Sequence, residues 1–340
     1  MLKPKLIFNP KGDDRPESRS LIGGNTTNLM QLNQVRYRWA IPLYRRMLSN
    51  FWIPEKVDMT TDFPSFTKLS PAEQAAYKGV LSFLTFLDSI QTTNIPNISA
   101  WVTAPEVVLC LTTHAFQEAI HAQSYQYMLE TLFEPLERDR LYDLWREDKV
   151  LFERNQTIAA HYQAFLDTPN EETFLRVLIA NYLLEGVYFM NGFYFFYHLG
   201  SRNRMLRSME IIKYIHRDEM THLMLFQNIL RELYTPSQMR RSVDELLQQA
   251  VAQEIAWSLH IFKGIPGITE ASIVQFTHYL ADRRLQGIGL SPIYGVSENP
   301  YKALDKYSNI GGESTVMGNF FEATVTEYQM SSTLSGWDAF

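Results

Sequence analysis

A single cysteine, Cys110, stands among 340 residues. It sits within Val107-Val-Leu-Cys-Leu111 and reads as a small core hydrophobe, so no disulfide framework staples the fold and a reducing, cytoplasmic setting is expected. Blocks of Lys or Arg are also missing, and the formal net charge is -6; without a basic stripe, nucleic acid is not an expected partner. The chain has no phosphate-cradling loop, because Ile22-Gly-Gly-Asn25 and Lys263-Gly-Ile-Pro-Gly267 fit neither nucleotide fingerprint. No apolar stretch follows Lys3 and Lys5, so a signal peptide is not expected. Sustained two-residue alternation is hard to find, which excludes a sheet as the core. Only the segment from Phe174 to Leu199 is apolar enough to suggest a membrane span. It carries Arg176, Glu185 and Asn191, so a buried core helix is the better reading and no membrane is expected.

What is present is a metal-binding pattern written twice: Asp88 followed by Glu118-Ala-Ile-His121, then Glu185 followed by Glu219-Met-Thr-His222. Each lone carboxylate precedes its Glu-x-x-His by an interval long enough for one helix to end and another to return. Residues three apart share a helix face, so each pair can offer a carboxylate and an imidazole to one ion. A lone Glu-x-x-His would mean little in a chain with eight His, but the repetition carries weight. The alternative, that these are polar residues satisfied within helix contacts, fails on their surroundings. Asp88 follows Leu81-Ser-Phe-Leu-Thr-Phe-Leu87 and Glu185 lies between Leu184 and Gly186-Val-Tyr-Phe-Met190, and ionised carboxylates are almost never buried without a partner. Four carboxylates and two histidines suit two iron or manganese ions, the constellation of di-metal carboxylate proteins with a ferritin-like helical bundle.

The rest of the chain fits an all-α bundle, and 46% hydrophobic residues suffice for a large core. Ser70-Pro-Ala-Glu73 is a capping box with Pro at the first helical position, opening the helix of Asp88. A turn containing Pro96 precedes a helix that Pro105 begins and that carries Glu118 and His121. Asn170-Glu-Glu starts the Glu185 helix, which should stop near Gly200. The Glu219 helix spans about 206 to 233 and ends before Thr235-Pro-Ser237; further helices are expected at about 136 to 166, 237 to 262 and 269 to 286. Residues 1–30 read as an irregular N-terminal arm, 31–308 as the helical domain and 309–340 as a partner-binding tail. Leu334, Trp337 and Phe340 are its candidate anchors; the bland alternative is that they cover this chain's own surface.

Tyr125, seven residues after Glu118 and four after His121, falls on the metal-facing side of its helix. With 18 Tyr in the chain, position alone would make it a core aromatic. Phe189, Phe193 and Ile215 on the neighbouring metal helices, however, could enclose a dry pocket that prolongs a radical's life.

At this point the chain resembles the small, radical-generating subunit of class I ribonucleotide reductase. The similar strings are Asn25-Thr-Thr-Asn-Leu-Met-Gln-Leu32, Phe51-Trp-Ile-Pro-Glu-Lys-Val-Asp58, Leu87-Asp-Ser-Ile-Gln91, Glu118-Ala-Ile-His-Ala-Gln-Ser-Tyr125, Arg217-Asp-Glu-Met-Thr-His222 and Asn319-Phe-Phe-Glu322. The resemblance implies that Asp88, Glu118 and His121 bind one metal and Glu185, Glu219 and His222 the other, as a di-iron centre or one of manganese. It implies that Tyr125 is oxidised to a stable radical. That equivalent would pass from His121 through Asp218 and Trp52 to a tail tyrosine, Tyr328, and on to a large subunit that reduces ribonucleotides. A homodimer and a flavoprotein activator are further implied partners. The single cysteine agrees with this division of labour, since thiol-driven reduction needs several redox cysteines and must take place on another chain. Having Asp88 with Tyr125 separates the chain from the subgroup with Glu and Phe there. A di-iron oxidase or hydroxylase and a ferritin-like iron-storage protein are the competing readings.

Overall fold

The computed structural model describes residues 2–308. Helices occupy most of that span: α1 (Ala40–Ser49), α2 (Asp62–Phe66), α3 (Pro71–Ser99), α4 (Pro105–Leu132), α5 (Pro135–Glu147), α6 (Lys149–Asp167), α7 (Glu171–Leu183), α8 (Met190–Ser201), α9 (Leu206–Leu233), α10 (Pro236–Ile261), α11 (Glu270–Gly287) and the short α12 (Asp305–Ser308). Strands are absent among the described residues apart from one isolated bridge, Ile22 to Val102. The long α3 and α4 pack side by side, α9 packs on α4, α7 and α8, and α10 and α11 close the far side. This is the all-α, ferritin-like bundle expected.

Local chemistry explains the helix ends. Ser70 and Glu73 satisfy each other's backbone amides at the head of α3 (3.3 and 2.8 Å), and Asn170 Oδ1 accepts from Glu172 and Thr173 at the head of α7. The start of α9 has no cap of its own, since Met205 precedes it in a left-handed conformation. The buried carboxylate of Asp62 in α2 fills that place, accepting from the amides of Arg207 (3.1 Å) and Ser208 (2.7 Å). Residues 2–30 hold one 3-10 turn, Pro16–Ser18. They are fastened to the α3–α4 turn by backbone bonds from Lys5 to Ala100 and from Thr103 to Leu21. A fully buried Arg19–Glu106 pair at 3.3 Å adds to this.

Three boundaries differ from expectation. Pro96 lies inside α3, not in a turn, and the helix continues to Ser99. The stretch 136 to 166 is two helices divided at Asp148, whose extended backbone ends α5 and whose side chain caps α6 through Leu151 N. The Glu185 helix is interrupted by a π-helical turn, Leu184–Tyr188. That whole segment, Glu171–Ser201, is long and apolar enough to cross a membrane, yet 89% of its most apolar window is buried in the bundle. It is a core element here.

Two buried arginines grip the π turn. Arg284 Nε donates to Gly186 O at 2.9 Å, and Arg154 Nη2 donates to Tyr188 O at 2.5 Å while pairing with Glu254. A widened turn leaves backbone carbonyls poorly matched to the next helical amides, and such turns cluster at functional sites. Gly186 makes room for the grip, because a Cβ there would stand 2.7 Å from Arg284 Cδ and Nε. Gly186→Ala is therefore expected to destabilise the chain by about 1–3 kcal/mol through overpacking. Equilibrium denaturation of the metal-free protein checks it, and unchanged stability would mean that Arg284 has free space to retreat.

Candidate metal centre

Four neighbouring segments deliver the repeated pattern to one place: α3 brings Asp88, α4 brings Glu118 and His121, the π turn brings Glu185, and α9 brings Glu219 and His222. All six are fully buried. His121 Nδ1 stands 3.0 Å from Glu219 Oε1, 3.4 Å from Glu118 Oε2 and 3.9 Å from Asp88 Oδ2. On the other side His222 Nδ1 stands 2.6 Å from Glu219 Oε2 and 3.3 Å from Glu118 Oε1. Glu118 and Glu219 thus turn one oxygen to each histidine, as bridging carboxylates do. Donors that share an ion at about 2.1 Å stand roughly 3 Å apart, which is the spacing seen.

The unsatisfied atoms test whether metal fits. Both oxygens of Asp88, Glu118 Oε2, Glu185 Oε2, Glu219 Oε1 and His121 Nδ1 are buried with no hydrogen-bond partner. Buried polar groups seldom stay unpaired, and these all belong to the cluster of potential ligands. The outer ring nitrogens of His121 and His222, in contrast, are provided for: His121 Nε2 faces Asp218 Oδ2 at 3.4 Å and His222 Nε2 faces Gln117 Oε1 at 3.1 Å. Those acceptors hold the ring proton outward and leave Nδ1 for an ion. The donor set fits a pair of oxygen-loving divalent ions.

Protonation of the metal-free cluster follows from crowding. Burial, and then the charges of Glu118 and Glu219, raise Asp88 well above the usual carboxylate range, and burial with the same two neighbours raises Glu185. For Glu118, burial is outweighed by close contacts with His114, His121 and His222, which hold its pKa well below normal. Burial likewise opposes the charge of His222, but Glu219 and Glu118 raise it to about 9.

Tyr125 is fully buried, and its hydroxyl lies beside Asp88 without a partner at full hydrogen-bond geometry. Burial first, and then the Asp88 charge, push the phenol well above its ordinary pKa. Phe189, Phe193 and Ile215 are buried too; Phe193 packs between Phe189 (5.8 Å between ring centres) and His216 (5.2 Å). Trp52, half-buried between α1 and α2, donates Nε1–H to Asp218 Oδ2 at 2.9 Å. The same oxygen faces His121, so Trp52, Asp218 and His121 form one polar line. Arg217 steadies it by reaching both Asp218 Oδ1 and the Asn50 carbonyl. Tyr328, Leu334, Trp337 and Phe340 lie outside the described residues.

The sequence reading passed over His114. Its Nε2 lies 2.7 Å from Glu118 Oε1 and 3.3 Å from Glu185 Oε1. Burial, and then the charge of His222, lower its pKa to about 4, so it is neutral. One signal was available: His114 is four residues before Glu118, hence on the same face of α4.

Comparison with known proteins agrees with this geometry. The family model described as ribonucleotide reductase, small chain, matches residues 29–300. The ribonucleoside-diphosphate reductase subunit beta of Treponema pallidum (strain Nichols) is 40% identical over 342 residues, covering 98% of this chain and 97% of that one. The solved ribonucleotide reductase R2 subunit from Clostridium botulinum superposes with a TM-score of 0.87 at 43% identity, covering 91% of this chain and 99% of its own. A dimanganese(II)-NrdF from Streptococcus sanguinis shares the fold, with a TM-score of 0.72 at 21% identity over 82% of this chain and 98% of its own.

At pH 7 the metal-free cluster holds a proton on His222, and the raised pKa values of Asp88, Glu185 and His121 favour further protons that entering ions must displace. Metal loading is expected to release protons at pH 7, that of His222 among them. Affinity should therefore rise with pH through the range in which His222 loses its proton unaided, at about 9. Calorimetric titration in buffers of different ionisation enthalpy reads the release. Heats that do not depend on the buffer would contradict these protonation states.

Proposed function

The chain belongs to the ribonucleotide reductase small-chain family, and on that premise we propose how its own residues do the work of a radical-generating subunit. It is the small subunit of a ribonucleoside-diphosphate reductase, an oxidoreductase that acts with a large subunit to make deoxyribonucleotides. The observation that carries the site assignment is the polar line from the buried carboxylate cluster to half-exposed Trp52. A hydroxylase would need an open substrate cavity in its place, and a storage protein has no use for a line leading outward.

Asp88, Glu118 and His121 hold one metal and Glu185, Glu219 and His222 the other, with Glu118 and Glu219 able to serve both. Two iron ions per chain are the proposed occupants, and the same oxygen-rich donor set accepts manganese. When bound, the ions supply the oxidising equivalent, drawn from oxygen or a species derived from it; a flavoprotein activator is the proposed source of such a species. Tyr125 would give up one electron to the oxidised centre and its hydroxyl proton to the neighbouring Asp88 carboxylate, because its raised pKa keeps the phenol protonated until oxidation. Phe189, Phe193 and Ile215 exclude water that would shorten the radical's life. Asp218 holds the His121 and Trp52 rings in register by accepting from both, and Trp52 hands the equivalent toward Tyr328 in the tail. Leu334, Trp337 and Phe340 dock that tail on the large subunit. A homodimer is the proposed assembly, with exposed Leu48, Phe51 and Phe116 offering apolar surface to a second copy. The cytoplasm is its proposed location.

Tyr125→Phe keeps ring volume and removes only the oxidisable hydroxyl, so stability should change by less than about 1.5 kcal/mol. Two metals per chain are expected by elemental analysis, with no tyrosyl electron-spin-resonance signal and no turnover with the large subunit. Full turnover would move the oxidising equivalent off Tyr125.

Deleting residues 331–340 is expected to abolish binding to the large subunit while leaving metal content and the Tyr125 radical intact. Tyr328→Phe should do the reverse, retaining affinity and blocking turnover. A truncated chain that binds as tightly as the full one in a surface-binding assay would refute the docking role.

A further inference from the structure

The three histidines at the centre are not equivalent. His121 and His222 each turn Nδ1 inward and give the outer nitrogen an acceptor, Asp218 and Gln117. His114 turns Nε2 inward, 2.7 Å from Glu118 Oε1 and 3.3 Å from Glu185 Oε1, and its outer Nδ1 is buried with no partner at all. Its ring is fixed by stacking on His222 at 3.7 Å and by the edge of Phe226 at 5.7 Å.

That difference decides the tautomer. An imidazole that binds a metal through one nitrogen carries its proton on the other, and the outer N–H is then held by an acceptor. Ligation through His114 Nε2 would strand an N–H at Nδ1 in apolar surroundings, and orphaned buried N–H groups are rare. With the proton on Nε2 the ring donates to Glu118 Oε1 and faces Glu185 Oε1, and only a bare ring nitrogen is left over.

We propose that His114 is a positioning residue of the di-metal centre and not a seventh ligand. Its Nε2–H donates to Glu118 Oε1, with Glu185 Oε1 in close contact at 3.3 Å, and sets how those two carboxylates meet the ion bound by Glu185, Glu219 and His222. Gln91 Nε2 donates to Glu185 Oε1 at 2.9 Å, whereas Asp88 has only the nearby Tyr125 hydroxyl and no partner at full hydrogen-bond geometry. The two metal positions are therefore unequal: the Glu185 side is held by protein donors before metal arrives, and the Asp88 side is left free to adjust.

This inference rests on the di-metal reading, and one titration separates the two. Metal-free full-length protein is titrated with Mn(II), and free ion is counted by electron spin resonance. The unsubstituted chain should take up two ions; if it does not, the di-metal reading falls and this proposal falls with it. His114→Phe keeps an aromatic ring for the stack and removes the donor. It should still bind two ions, with the affinity of one weakened roughly tenfold or more, the loss typical of removing an outer-sphere partner. His114→Gln restores an N–H donor and should recover most of that affinity, a rescue that a packing role would not give. Unchanged affinity in His114→Phe would reduce the residue to packing. Loss of one ion in both variants would make it a ligand. Either result overturns the proposal.

Discussion

Four carboxylates share one buried volume, and their mutual repulsion in a low-dielectric interior is the constraint that the surrounding protein answers. Without counter-charge they cannot all ionise: burial and neighbouring charge raise Asp88 and Glu185, while contacts with three histidines keep Glu118 ionised. Two divalent ions bound here would supply the positive charge that the chain itself does not. The other features of the centre serve to hold acidic side chains in a geometry they would otherwise leave. Breaking such an arrangement is costly because an uncompensated buried charge remains.

The backbone shares that burden. Glu185 does not ride on a regular helix but on a π turn, and two arginines from α6 and α11 bind the carbonyls of that turn. Both cations are buried. Arg154 is balanced by Glu254 and lies over the Phe83 ring at 3.5 Å, and Arg284 occupies the space that Gly186 leaves open. Helices remote from the ligands thereby fix where one ligand points. At the opposite edge, Asp62 anchors the start of α9 and so the phase of Glu219 and His222.

The candidate site was unusually legible. The i, i+3 spacing of each Glu-x-x-His follows from helical geometry alone, and Asp88 and Glu185 stood out because apolar neighbours surround them. His114 was not legible as a functional group, because a histidine on an apolar helix face is more often a satisfied core residue. Only its distances to Glu118 and Glu185 set it apart. Trp52 and Asp218 stand far apart in sequence, and nothing in their local surroundings announces a hydrogen bond between them.

The helical class, the caps at Ser70 and Asn170, and the six candidate ligands are legible in the sequence, because periodicity and capping are local properties carried by residues a turn apart. Tertiary structure decided the rest. Pro96 stays within α3 because long-range packing against α4 outweighs one lost amide. The π turn, its two arginines, the cap from Asp62 and the inward face of His114 each depend on groups brought together from distant parts of the chain. No local pattern encodes such meetings, since they arise only when the packed helices fix distances and remove water.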